Sequence, residues 1–495
     1  MLEQLLAPTG PTEVVEALQF VDGRWGRTGH MVERVSPWLH RAVTLTHEAD
    51  DEAVSNARAA ASRGSQQVRR LAPAARAAIL QQAARLAEQH RDALADVIAR
   101  ELGKPVSDGR KEIERVRDTF ETCADEARHI GGEVLPVAGR YSGVGSTAMT
   151  FRAPLGVALA ITPFNAPANL LAHKLGASFA AGNATIVKSP PQAPAVTAAV
   201  VALLLEAGMP PLAVQLLHGG GELGAKLCAA PEVAVISFTG SAETGAAVAR
   251  AAGAKRLVLE LGGNAATIVC ADANLGRAAR ICARTGYSNS GQSCISVQRV
   301  YVEDEVFDEF LGQMRSEVER LVVGDPADPR TDVGSMVDET AAARVESWIV
   351  EAVAGGAELV CGGARDGATL TPAIVAGADP SATLVTHEAF GAVVVVVMRF
   401  FDFDAVIEEC NSSRYGLQAG LFTMRMDRVV QAWRDLEVGG VIVNGSSNFR
   451  LDHVPFGGVK DSGFGRESPA QMIEDYTSLK TLIVRDLSIW GSETA

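Results

Sequence analysis

Between Pro154 and Glu260 the chain alternates short apolar runs with helical stretches, a pattern that few architectures accommodate. The runs at 157–161, 184–187 and 233–237 are strand-like, and the stretches at 166–181 and 193–207 carry helical periodicity. Strand and helix in this order predict a doubly wound, mostly parallel α/β sheet. Ligands bind such a sheet beyond the carboxyl ends of its strands, so the residues that follow each run are the first candidates for a site.

One further run, Lys255-Arg256-Leu257-Val258-Leu259-Glu260, ends in a carboxylate and turns at once through Leu261-Gly262-Gly263-Asn264. Downstream, the helical pattern of 275–285 gives way to Ser288-Asn289-Ser290-Gly291-Gln292-Ser293-Cys294, small polar residues that present a thiol on a loop rather than in a core. A cysteine thiolate is a strong nucleophile, and a carboxylate can take a proton from it or from a water that attacks the acyl group it carries. Glu260 and Cys294 together therefore point to covalent catalysis. The plain alternative is a structural cysteine and a surface turn glutamate.

Three more motifs stand at strand ends. Phe238-Thr239-Gly240-Ser241-Ala242-Glu243-Thr244-Gly245 follows one run and opens a helix, where free N–H groups and the helix dipole can meet a pyrophosphate. Lys188 follows another run and offers a cation to a ribose or phosphate. Asn165, in Ile161-Thr162-Pro163-Phe164-Asn165, offers an amide to a developing oxyanion, with the Cys294 N–H as a second donor. Taken singly, these are a capped turn, a solvated loop lysine and a turn asparagine.

Glu260-Leu261-Gly262-Gly263-Asn264 and Gly291-Gln292-Ser293-Cys294 resemble, in order and separation, the two signature motifs of the aldehyde dehydrogenase superfamily, and the likeness runs from about Phe20 to about Val484. The resemblance implies an aldehyde dehydrogenase-like fold: a Rossmann-type cofactor domain, an α/β catalytic domain and a β-strand oligomerisation arm. A helical preface and NAD(P)-binding domain would occupy 1–260, with an oligomerisation segment near 131–152. A catalytic domain would follow over 261–441, and 442–495 would return to the cofactor domain and end in the arm.

By the same resemblance Cys294 is the nucleophile, Glu260 the general base, Asn165 the oxyanion donor and Lys188 a further catalytic and cofactor residue. The cofactor, NAD or NADP, is implied to meet Ile161, Thr162, Pro163, Phe164, Gly240, Ser241, Gly245 and Leu261. In Glu388-Ala389-Phe390-Gly391, Glu388 matches the family position that holds the nicotinamide ribose, and Phe390 the one that packs against the nicotinamide. The implied reaction oxidises an aldehyde to a carboxylic acid through a thioester that Glu260-activated water hydrolyses. Acyl transfer to coenzyme A is the alternative within the family, and a catalytically silent relative the alternative outside it.

The segment Phe449-Arg450-Leu451-Asp452-His453 is most similar to lactaldehyde, phosphonoacetaldehyde and non-phosphorylating glyceraldehyde-phosphate dehydrogenases, which makes Arg450 and Arg115 candidates to meet a hydroxyl or anionic group. Members that prefer NAD place a glutamate three residues after the lysine; here that residue is Pro191, so NADP is expected to be accepted.

The rest of the chain fits this frame. Its 495 residues exceed one core, and its net charge of -14 disfavours nucleic acid or an anionic membrane as partner. Residues 1–16 read as a loose arm without a secretory signal, and 50–130 as helices interrupted at Pro73 and at Gly103-Lys104-Pro105. Runs at 300–302, 371–375 and 393–397 read as strands, and 307–321 and 341–355 as helices. Seven cysteines without a CxxC pair or His cluster indicate reduced thiols, no metal site and a cytoplasmic location. An exposed strand at 479–484 resembles the family's terminal strand, which pairs with another subunit, and so implies a homodimer or homotetramer.

Overall fold

The computed structural model of the chain describes residues 1–6 and 14–485. The runs expected at 157–161, 184–187 and 233–237 form the strands Val157–Ile161, Ala184–Lys188 and Val233–Thr239. With Arg256–Glu260, and with Val214–Leu217, which the sequence reading did not single out, they make the parallel centre of an eight-stranded sheet. Every residue of Val157–Ile161 and Ala184–Lys188 is buried, because helices cover both faces.

Val157–Ile161 lies between Val233–Thr239 and Ala184–Lys188. The chain therefore builds one half of the sheet, crosses back and builds the other, leaving a crevice at the strand ends where the order reverses. Gln19–Val21 and Gly463–Phe464 join antiparallel on opposite sides, the latter with Gly463 opposite Glu260.

A second, seven-stranded sheet runs Glu358–Cys361, Ala373–Ala376, Val393–Phe400, Arg299–Glu303, Ala266–Val269, Gln418–Phe422, Gly440–Val443 and is parallel except for its first strand. Its own apolar core lies under Leu275–Gly286, Phe307–Val318 and Glu339–Ala354. The fold is thus mixed α/β, a Rossmann-like sheet beside a second α/β unit.

A three-stranded ribbon stands apart. The C-terminal strand pairs within its own chain: Thr477–Arg485 runs antiparallel to Ser146–Pro154 from Thr477 opposite Pro154 to Arg485 opposite Ser146. It is the outer strand of the ribbon, and Leu479, Leu482 and Ile483 are exposed on it.

Two expectations are corrected. The start of the chain is not loose, since Leu2–Leu6 is a helix whose Leu2 and Leu5 are buried against the first core. The helical preface has a third break, at His90, between Pro73–Gln89 and Arg91–Leu102; it carries neither Gly nor Pro, so composition alone did not signal it. Residues 7–13 of the expected N-terminal arm and 486–495 of the expected C-terminal segment lie outside the described residues. Among the described residues no helix is long and apolar enough to cross a membrane.

Candidate active site

After Leu275–Gly286 the chain turns through three residues with positive φ, Asn289 at 51°, Ser290 at 56° and Gly291 at 73°. A left-handed backbone costs a non-glycine residue about 1–3 kcal/mol, so it persists only where neighbours hold it. Here Ser288 Oγ and the Asn289 N–H both donate to Asp108 Oδ2 at 3.0 Å, and Ser290 Oγ donates to Gly334 O at 3.0 Å. Gly291 is required for space as well, because a Cβ there would stand 2.0 Å from Gly391 O. The loop delivers Cys294 against Ile295, Leu417 and Phe456.

The thiol is less free than a loop position suggested. Burial pushes it up to about 12, Glu388 and Glu260 add to the rise, and Arg450 opposes it. Cys294 therefore rests as a thiol and needs a base. Its backbone N–H meets no acceptor among the described residues.

Glu260 ends its strand in a buried position, and neither carboxylate oxygen has a hydrogen-bond partner among the described residues. Burial holds its pKa well above the usual carboxylate range and the charge of Glu467 adds to this, while Arg450, Lys174 and Arg466 oppose it. The two glycines that follow explain the tightness of the turn. A Cβ on Gly262 would stand 2.4 Å from Glu388 Oε2, and one on Gly263 would stand 2.2 Å from Cys294 O. The Gly263 N–H donates to Glu388 Oε1 at 2.9 Å, and burial pushes the Glu388 carboxyl up to about 7. In the late Pro-Phe-Gly-Gly segment, Gly457 leaves room for Glu260, since a Cβ there would lie 2.8 Å from Oε1.

One cavity of about 890 Å³ runs across the switch point of the first sheet. Ile161, Thr162, Pro163, Phe164, Asn165, Lys188, Gly240, Ser241, Glu260, Leu261, Cys294, Glu388, Phe390 and Arg450 all line it. Gly245 and Arg115 do not. Gly245 instead lets the helix Ala242–Ala252 settle on Leu261, whose Cδ2 a Cβ would meet at 2.4 Å. Arg115 donates through Nε and Nη2 to the two oxygens of Asp452, both at 2.8 Å, which takes it away from the cleft wall.

The residues present suit a nicotinamide dinucleotide. Thr162 Oγ1 is buried and has no hydrogen-bond partner among the described residues. Ser241 caps Ala242–Ala252 by accepting from the Thr244 N–H at 3.2 Å, so the helix presents its amino end to the cleft. Lys188 Nζ donates to Ser189 O at 3.1 Å; burial brings its ammonium down to about 8, with Glu48 opposing. Pro191 and Gln192 line the cleft with it. Phe390, at φ 48°, meets Phe164 edge-on with ring centres 5.8 Å apart. Asn165 Nδ2 donates to Gln292 O at 3.1 Å, inside the nucleophile loop.

Sequence reasoning missed a buried charged corner behind Glu260. Lys174 Nζ donates to Glu467 Oε1 at 2.7 Å, Thr239 Oγ1 at 2.7 Å and Ser237 Oγ at 3.0 Å. Arg450 lies over the Phe456 ring at 4.1 Å, and its Nη1 donates to Glu467 Oε2 at 3.1 Å. The available signal was His173-Lys174, two polar residues in the middle of the otherwise mostly apolar Pro167–Ala181, all of which is buried. Arg344, stacked on Trp348 at 4.7 Å, was missed too; both line the cleft.

Comparison with known proteins agrees with this geometry. The description of the aldehyde dehydrogenase family matches residues 25–482. The 3-sulfolactaldehyde dehydrogenase of Priestia aryabhattai is 38% identical over 477 residues, 96% of this chain and 99% of that protein. The lactaldehyde dehydrogenase of Methanococcus vannielii is 33% identical over 474 residues, 94% and 100% of the two chains. Among solved structures, the NADP-dependent glyceraldehyde-3-phosphate dehydrogenase from Bacillus halodurans complexed with NADP superposes with a TM-score of 0.92 at 32% identity, covering 95% of this chain and 99% of that one.

Proposed function

The chain belongs to the aldehyde dehydrogenase family and is an NAD(P)-dependent oxidoreductase of aldehydes, and we propose that it oxidises a small polar or anionic aldehyde to the acid through Cys294. The observation that carries this reading is that Cys294, Glu260 and Asn165 line one cleft with the strand-end residues Thr162, Lys188 and Gly240. The Cys294 thiol gives its proton to solvent in the cleft, its sulfur adds to the carbonyl carbon as the C=O π bond opens, and the resulting oxyanion is met by the Asn165 amide and the Cys294 N–H. The bound nicotinamide supplies the acceptor for the hydride that leaves this carbon. Thr162, Lys188, Gly240, Ser241, Glu388 and Phe390 are the residues proposed to hold the dinucleotide. Glu260 then takes a proton from the water that hydrolyses the thioester. Its retention favours water over coenzyme A as the acyl acceptor.

The charged corner supports a polar or anionic substrate. Arg450 lines the cleft beside Phe456 and Glu467 and is the cation of that corner within reach of a substrate's hydroxyl or anionic group. The names of the relatives, which act on sulfolactaldehyde and lactaldehyde, point the same way. We assign 1–260 to the cofactor domain, 261–441 to the catalytic domain and 442–495 to the return and arm. The exposed outer strand Thr477–Arg485 supports assembly into a homodimer or homotetramer. The seven free cysteines support a reducing, cytoplasmic setting.

The test is NAD(P)H formation by the purified chain with a panel of aldehydes. Small hydroxylated, carboxylated, phosphorylated or sulfonated aldehydes should be preferred. A clear preference for long alkyl or aromatic aldehydes would remove the substrate assignment, and no aldehyde-dependent reduction at all would remove the mechanism.

A further inference from the structure

Three buried or nearly buried charged side chains outside the cleft converge on it from one short segment. Lys104 belongs to the Gly103-Lys104-Pro105 turn, and Asp108 and Glu112 lie one helical turn apart on Val106–His129. We propose that these three residues form a strut that fixes the Asn165 amide relative to the Cys294 loop, and that they are positioning residues for oxyanion stabilisation. The proposal rests on the roles given above to Asn165 and Cys294.

The strut has two ends. At the first, Glu112 Oε1 accepts the Ala168 and Asn169 N–H groups at 2.8 and 3.2 Å. These open the helix Pro167–Ala181, whose own N-cap, Ala166, has no side chain to offer, so Glu112 caps that helix from outside. Glu112 Oε2 accepts from Lys104 Nζ at 2.7 Å, and the same ammonium donates to Asn165 O at 3.0 Å. At the second end, Asp108 Oδ2 holds Ser288 Oγ and the Asn289 N–H, both at 3.0 Å. Asn289 Nδ2 closes the ring by donating to Asn165 O at 3.0 Å and Gln292 O at 3.2 Å.

The carbonyl of Asn165 is thus gripped from both sides, by Lys104 and by Asn289. An amide aimed at a developing charge loses most of its value when displaced by about 1 Å, which is the purpose such a grip serves. The turn itself is wedged in place. Gly103 has φ +68°, and a Cβ there would stand 1.8 Å from Ser335 Oγ, beside the carbonyls that receive Ser290 Oγ.

The experiment is a set of double-mutant cycles. Lys104→Met, Glu112→Gln and Asp108→Asn are each made alone and with Asn165→Ala. Two reactions are followed: aldehyde-dependent NADPH formation, and hydrolysis of 4-nitrophenyl acetate without cofactor, which acylates the same thiol through the same kind of oxyanion. Each single variant should lower both rates about tenfold or more with the Kd for NADP changed less than about threefold, yet cost less than about twofold once Asn165 is alanine. Losses that multiply in the two backgrounds would overturn the strut and leave a purely structural role. Glu112→Gln and Asp108→Asn keep side-chain size, so they carry the test if Lys104→Met does not fold. The ester reaction reads the strut whether or not any aldehyde is oxidised, which separates its failure from failure of the proposed function.

Discussion

Glu260 and Glu467 share one buried corner, and their carboxyl pKa values are driven in opposite directions. Both suffer burial, but Lys174 and Arg450 face Glu467 and keep it well below the usual carboxylate range. Glu260 has no hydrogen-bond partner among the described residues, and burial and the Glu467 charge push its pKa well above the usual carboxylate range. A general base with a raised pKa gives a rate that climbs with pH as it ionises. The acid limb of the kcat profile should therefore lie well above the ordinary glutamate range. Glu467→Gln removes the like charge and should move that limb to lower pH; an unmoved limb would show that Glu260 does not govern it.

Cys294→Ala should abolish turnover. Glu260→Gln should leave the first, NAD(P)H-forming turnover largely intact and slow deacylation by about 10²–10⁴. Rapid-mixing kinetics separate the two phases, and a Glu260→Gln variant with no burst would move Glu260 to the acylation step.

Pro191 can neither accept hydrogen bonds from the ribose hydroxyls nor repel a 2′-phosphate, and Lys188 stands beside it in the cleft. NADP should be used, and because Lys188 titrates at about 8, the KM for NADP should rise more steeply than that for NAD between pH 7 and 9. A kcat/KM for NAD more than about a hundredfold above that for NADP, roughly 2.7 kcal/mol, would show that Pro191 lacks this effect.

Asp452 accepts from Arg115 twice, from His173 Nε2 at 2.9 Å and from Asn169 Nδ2 at 3.2 Å, and despite burial its carboxyl is held well below the usual range. A carboxylate with a depressed folded pKa contributes stability above its unfolded value, about 3.9, that is lost as pH falls toward the folded one. Asp452→Ala should cost about 1–3 kcal/mol at pH 7 by urea titration, because Arg115, His173 and Asn169 lose the acceptor they share while Arg450 keeps Glu467. A loss below about 1 kcal/mol would mean that water replaces the carboxylate easily.

Ile483→Lys and Leu479→Lys place charge on one exposed face of Thr477–Arg485. If the ribbon joins subunits, sedimentation should shift to a smaller species at unchanged helical content. An unchanged sedimentation coefficient would exclude this face.

The parallel sheet was legible because Val157–Ile161 and its neighbours are apolar along their whole length, and Glu260 and Cys294 because glycines mark the turns that carry them. The strand Val214–Leu217 was not, since it is short and starts with a 3-10 turn, and neither was Lys174, whose acid partner lies 293 residues away in sequence. Gly103-Lys104-Pro105 was legible only as a helix break. Its contribution is a contact, Lys104 to Asn165 O, that no local pattern encodes. The ion pair of Arg115 was not legible for the same reason: its partner Asp452 is 337 residues downstream.

The pairing of Lys174 with Glu467, and of Ser146–Pro154 with Thr477–Arg485, has a consequence for how the chain is made. Before the ribosome reaches Glu467, Lys174 already belongs to a helix that its apolar neighbours drive inward, and the carboxylate that neutralises it has not yet been synthesised. Contacts of such sequence separation form late, so the first sheet stays incompletely closed until Gly463–Phe464 and Glu467 have emerged. Nascent chains truncated before Glu467 should remain protease-sensitive around Pro167–Ala181, and chains extended through Arg485 should be protected in a single step.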